Sequence, residues 1–142
     1  MTERVTPLEM TPEQFRRAGH EVVERIADLL ATIRTRPVTS GETPAEIRAL
    51  LGRRPLPRSG SDPVKLLAET APLLLEHSLY NGHPRFMGYI TSSAAPIGAL
   101  ADALAAAINP NVGAWELSPI ATEIEAETVR WVAELLGYPG DC

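Results

Sequence analysis

Four pairs of a side chain able to cap a helix and a following proline stand just ahead of stretches with helical periodicity: Thr11-Pro12, Thr43-Pro44, Asp62-Pro63 and Ser118-Pro119. Proline has no amide hydrogen and its φ is already helical, so it suits the first turn of a helix and damages a helix interior or a central strand. Each pair therefore predicts a helix start. In "TPEQFRR" Gln14 follows Thr11 by three residues, and in "TPAEIRALLG" Glu46 follows Thr43 by the same interval, the spacing of a capping box.

The helices that these starts open can be followed by their periodicity. Phe15, Ala18, Val22, Ile26, Leu29 and Ile33 share one face of a first helix, which should end near Arg36 because Pro37 disfavours helical geometry in the residue before it. A short second helix stops at Gly52, and the connector "GRRPLPRSGSD" leads to a third, expected to run from Pro63 to a left-handed stop at Asn81-Gly82 and to be kinked or divided at Pro72. Ile97, Leu100, Ala101, Leu104, Ala105 and Ile108 make the stripe of a fourth, whose reverse side, Ala99, Ala103 and Ala106, is also apolar; such a helix is normally buried on all sides. The fifth runs from Ser118-Pro119 to Gly137. Between the third and fourth, "NGHPRFMGYITSS" has no helical period and reads as a long apolar loop with room for a short strand over residues 86–90. The fold class is mainly α.

Composition narrows the partners. A net charge of -5 argues against nucleic acid, and Arg48, Arg53, Arg54 and Arg58 read as a solvated linker. The single cysteine, Cys142, forms no internal disulfide and suggests a reducing compartment. "MTERVTPLEM" has the pattern of neither a signal nor a transit peptide, and "AAPIGALADALAAAI" is too short to span a bilayer and contains Asp102, so a soluble, cytoplasmic protein without membrane partners is expected. His20, His77 and His83 lack metal-ligand spacing, and no metal site is expected. Of the three, His83, beside Pro84 and the apolar loop, belongs nearest a site.

Individual side chains divide between core and chemistry. Ile120, Ile124, Trp131 and Leu135 form a core arc on the fifth helix, widened by Ala121, Val132 and Leu136, while Glu123, Glu127, Arg130 and Glu134 form a solvated face with weak pairs to Arg130. Glu125 projects onto the apolar arc and must curl to water or meet a donor outside this segment, since an unpaired buried carboxylate is costly. Asp102 is expected to hydrogen-bond a neighbouring loop. Tyr89, Thr91, Ser92 and Ser93 could bind a substrate or a phosphate, although loop hydroxyls more often satisfy backbone groups. Lys65, the only lysine, reads as exposed. Six of the seven aromatic residues lie in the second half of the chain, so the first helix has little local material to pack on and is expected to embrace another chain.

"HPRFMGYI", "GALADAL", "NPNVGAWELSPIATEIE" and "WVAELLGYP", in that order, resemble the amino-terminal part of the pyridoxal phosphate dependent group II amino acid decarboxylases. The resemblance implies the N-terminal helical segment of a fold type I, aspartate aminotransferase-like enzyme, with the α/β cofactor domain beyond this chain. Residues 1–82 would be a dimer-wrapping arm, and residues 83–142 pocket loops and helices leading into that domain. Tyr89, Ile90, Thr91 and Ser92 resemble the stretch lining the substrate pocket, and Asn111, Val112 and Gly113 a loop entering the neighbouring subunit's site, with Trp115 and Ser118-Pro119 anchoring and capping its hinge.

The resemblance further implies pyridoxal 5'-phosphate as cofactor, an L-amino acid as substrate, and two partners, the C-terminal remainder of the enzyme and a second subunit. The family's phosphate-holding turn, ring-stacking histidine, pyridine-pairing aspartate and Schiff-base lysine are expected after "GYPGDC", so this chain is expected to hold no catalytic or cofactor-binding residue and to be inactive alone. Asn111 and Gly113 stand where aromatic members carry bulky apolar side chains, which counts against an aromatic substrate. Aldehyde-forming or carbon–carbon lyase chemistry on the same scaffold is an alternative, and so, from another class, is a non-enzymatic helical module that dimerises or binds a partner.

Overall fold

The computed structural model describes residues 9–53 and 55–139. Among them lie five α-helices, α1 (Pro12–Thr32), α2 (Pro44–Leu51), α3 (Pro63–Glu76), α4 (Pro96–Ile108) and α5 (Pro119–Leu135), with a 3-10 turn over Trp115–Leu117 and no strand. The expectations for the extreme N-terminus, Arg54 and Cys142 lie outside the described residues.

The capping chemistry acts as its spacing predicts. Thr11 and Gln14 form a complete capping box at the start of α1, Thr43 and Glu46 form another at α2, and the Asp62 carboxylate accepts from the Lys65 amide at 2.8 Å. Each satisfies an amide that the helix cannot. Ser118 departs from this pattern: at φ -157° and ψ 76° its hydroxyl makes no cap hydrogen bond to α5, and only its carbonyl, accepting from Thr122, begins the helix.

The helix ends depart further. α1 stops at Thr32, short of Arg36, and the chain continues as a tighter turn in which the Thr35 amide bonds the Thr32 carbonyl three residues back. α3 stops at Glu76, and neither Asn81 nor Gly82 adopts a left-handed conformation. The chain leaves the helix there because His77 pairs with Glu42 and the Tyr80 amide bonds the Val38 carbonyl. Pro72 lies inside α3 without ending it. Residues 86–88 have no regular structure and residues 89–90 form a bend, in place of the expected strand.

Contacts divide the chain into two units, residues 1–93 and 94–142. In the first, α1 packs along α3, and Val22, Arg25 and Ile26 face Leu67, Ala71, Leu74 and Leu75 across an apolar groove of about 210 Å³. This corrects the expectation that α1 lacks local cover: α3 supplies part of it. The cover is thin, since Ala18 is the only buried apolar residue among those described, and Phe15, Val23 and Leu30 remain exposed.

In the second unit α5 packs on the 3-10 turn, and α4 packs on no other helix of the unit. Ile97, Leu100, Leu104 and Ile108 of α4 and Ile120, Ile124, Trp131 and Leu135 of α5 are all exposed. The faces read as core are thus bare within this chain. Glu125 and Asp102 are exposed as well, and neither makes a hydrogen bond among the described residues, so the loop contact expected of Asp102 is not formed.

Candidate functional site

The first group of expected site residues lies on a loop whose base is fixed and whose tip is free. His83 is the one buried polar residue among those described, 2% exposed. Its Nδ1 accepts the Arg85 amide at 3.0 Å, which leaves the hydrogen on Nε2, and Nε2 donates to the Arg36 carbonyl at 3.1 Å. The His83 amide bonds the Tyr80 carbonyl at 3.1 Å, and its carbonyl accepts from the Phe86 amide at 2.9 Å. Arg36 is shared widely: its guanidinium donates to the Leu75 carbonyl and the Tyr80 hydroxyl, each at 3.4 Å, while the Tyr80 hydroxyl also donates to Leu75. The ends of α1 and α3 therefore grip the segment from which the loop departs.

The loop also closes on itself. A Cβ on Gly82 would stand 3.3 Å from the Ser93 Cβ and 3.6 Å from Ile33 Cδ1, so the two ends of residues 83–92 meet where glycine leaves space. Nearby, Ser40 and His77 both bond Glu42, and chiefly the Ser40 hydroxyl, then His77, hold its carboxyl below the ordinary glutamate range against the opposing effect of burial. Beyond this base, Met87, Tyr89 and Ile90 are almost wholly exposed, and Thr91 and Ser92 are exposed too. Tyr89 has φ 59°, a left-handed conformation that costs a non-glycine residue about 1–2 kcal/mol and is concentrated at functional sites.

The second group lies between α4 and α5. Asn109 ends α4 in the left-handed region, φ 51° and ψ 53°, with its amide on the Ala105 carbonyl at 2.7 Å. Asn111 Oδ1 then accepts the Gly113 amide at 2.8 Å, an Asx turn that fixes residues 111–113. Glycine is needed there, because a Cβ at 113 would lie 2.9 Å from the same Oδ1. Trp115, half exposed, anchors the loop through its indole, which donates to Glu123 at 2.8 Å. An open hollow of about 330 Å³ runs along α5 between Glu123, Ile124, Glu127, Thr128 and Trp131. Glu127 is kept below the ordinary glutamate range mainly by its hydrogen bond from Arg130, which also bonds Glu134 at 2.9 Å.

Tyr89, Ile90, Thr91 and Ser92 thus belong to the first unit, and Asn111, Val112 and Gly113 to the second. Arg36 and Gly82 escaped the sequence reading. The carbonyl of Arg36 carries no sequence signal, and the Asn81-Gly82 pair looks like a helix stop; only its place beside a flagged histidine hints at a close approach.

The family model described as "Pyridoxal-dependent decarboxylase conserved domain" matches residues 50–142. The chain is 35% identical over 94% of its length to a tyrosine decarboxylase of Oryza sativa subsp. japonica, 28% over 93% to an aromatic-L-amino-acid decarboxylase of Bacillus atrophaeus, and 30% over 92% to the histidine decarboxylase of Homo sapiens. It spans 25%, 27% and 20% of these relatives. The family's cofactor is pyridoxal phosphate. The described residues do not by themselves fit that group: Lys65, on the first turn of α3, is largely exposed and pairs at 3.8 Å with Glu69, and no enclosed cradle surrounds it. By the match over residues 50–142 the chain belongs to the pyridoxal-dependent decarboxylases.

Proposed function

We propose that this chain is the N-terminal part of a cytoplasmic, pyridoxal phosphate dependent L-amino acid decarboxylase, in which residues 89–92 and 111–113 line the substrate pocket. Its helices build the interface with the remainder of the enzyme and with a partner subunit. One observation carries the reading: a chain bearing this family's domain leaves the apolar faces of α4 and α5 bare. At about 25 cal/mol per Å², apolar surface of this extent is stabilised only when something covers it. The fold type I body is that cover, and residues 1–82 are the arm that reaches the second subunit.

In this scheme the cofactor supplies the electron sink, and the present residues orient the substrate and keep water out. Tyr89 and Thr91 offer hydroxyls at the exposed tip of one loop, and the Asx turn presents Val112 from the other. Catalytic groups come from outside these residues, so the chain alone is inactive.

The test combines the chain with the C-terminal remainder and follows carbon dioxide release across L-amino acids. Release that depends on the chain supports the reading; a remainder that decarboxylates equally well without it refutes the pocket-building role. Tyr89→Phe and Asn111→Ala in the assembled enzyme should alter the preference among amino acids, and unchanged preference in both removes these loops from the pocket.

A further inference from the structure

We propose that His83 is a positioning residue for the substrate loop, setting the direction of residues 87–92 through its hydrogen bond to the Arg36 carbonyl. The proposal rests on the pocket role given above to residues 89–92, and it names what holds them.

Three observations converge on this side chain. His83 is the one buried polar residue among those described, although it stands at the root of a loop whose tip is exposed. Its two ring nitrogens are used in opposite senses, Nδ1 accepting from Arg85 inside the loop and Nε2 donating to Arg36 in the turn that follows α1, forty-seven residues away. A buried imidazole bonded at both nitrogens has one orientation, so the backbone of residues 83–86 is fixed relative to α1. Finally, the closure between Gly82 and Ser93 leaves the loop a single base. Removal of the histidine bond frees the whole loop together, because the Arg85 guanidinium reaches the same carbonyl only at 3.5 Å and from an exposed position.

Such an anchor acts through the loop and not on the reacting atoms. It should therefore affect how well substrate is held more than how fast bound substrate reacts.

Two nearly equal substitutions separate the tie to Arg36 from general polarity. His83→Gln extends far enough to place a donor near the position of Nε2, whereas His83→Asn reaches only the position of Nδ1 and keeps the Arg85 contact alone. In the complete protein without substrate, amide exchange over residues 86–92 should accelerate on the order of tenfold in His83→Asn and stay within about threefold of wild type in His83→Gln, as loss and retention of one buried hydrogen bond imply. Exchange in α1 and α3 serves as the control for folding. In turnover, His83→Asn should raise KM by on the order of tenfold with kcat little changed, and His83→Gln should largely restore it. Equal loop exchange in the two variants overturns the proposal, as does a loss in kcat that glutamine does not rescue. A complete protein that shows the exchange difference but decarboxylates no amino acid leaves the anchor standing and removes the decarboxylase reading instead.

Discussion

The indole of Trp115 donates to the carboxylate of Glu123 at 2.8 Å and so ties the loop ahead of α5 to the second turn of that helix. The Ser118 hydroxyl makes no cap, so this bond is the side-chain tie at the start of the helix. A side chain eight residues upstream thus fixes the entry of the chain into α5, and residues 111–113 depart from a supported point.

Trp115→Phe keeps the ring and removes the donor. Both partners are exposed, so the loss of stability should stay below about 1 kcal/mol. Exchange of the amides over residues 113–118 should nevertheless quicken while the helicity of α5 is retained. Unchanged exchange shows that the bond supports nothing.

The Asx turn gives a sharper expectation. Gly113→Ala puts a Cβ 2.9 Å from Asn111 Oδ1, closer than carbon and oxygen tolerate, so the side chain must swing away and abandon the Gly113 amide. Asn111→Ala removes the same acceptor. Because the two changes break one interaction, the double variant should be no more mobile over residues 110–114 than either single variant. Additive effects, read by exchange, separate the residues and defeat the account.

These loops show how far local chemistry carries. Thr11 with Gln14 and Thr43 with Glu46 announce their helices because a cap is a bond between residues three apart, present in any four-residue window. The ends of α1 and α3 could not be read in that way. His77 and Tyr80 leave α3 for Glu42 and Val38, partners more than thirty residues distant, and the Arg36 guanidinium beyond α1 is held by Leu75 and Tyr80. The apolar stripes of α4 and α5 were legible as faces, but a face does not tell whether its cover lies in the same chain. The two loops of the candidate site were legible as aperiodic stretches; the bond at the base of the first was half hidden, since His83 stands out in the sequence and the carbonyl it bonds does not.

The capping box at α2 also sets an acid limit. The Thr43 amide and then its hydroxyl hold the Glu46 carboxyl below its ordinary value of 4.5, and the Ser40 hydroxyl leads the causes that do the same to Glu42. A group whose folded pKa lies below its unfolded one adds stability above the unfolded value and loses it as pH falls through the folded one. Helicity of α2 should therefore be level from neutral pH down to about 5 and decline below 4.5, and Glu46→Gln, which still accepts the Thr43 amide, should flatten part of that decline. The check is exchange of the Ala45 to Ile47 amides at pH about 6 and about 3.5. An equal acid response in the variant assigns the effect to other carboxylates.

Gly82 offers the most direct test of loop closure. Alanine there lowers the entropy of the unfolded chain, which alone would stabilise by about 0.4–1 kcal/mol, since the residue is not left-handed and nothing in its φ forbids a side chain. Against this, the new methyl meets the Ser93 Cβ at 3.3 Å and Ile33 Cδ1 at 3.6 Å. The isoleucine has a flexible end and can yield, but the serine carbon is attached directly to backbone, so relief must come from spreading the two ends of the loop. Gly82→Ala should therefore destabilise the first unit by about 1 kcal/mol despite its entropic advantage. Ser93→Gly removes the opposing carbon, and in that background the same alanine should become neutral or stabilising. A favourable coupling of about 1 kcal/mol between the two sites in a thermal or urea double-mutant cycle is the expected result. Simple additivity means that the ends of the loop do not press on each other, and the closed base of residues 83–92 is then lost along with the crowding that defines it.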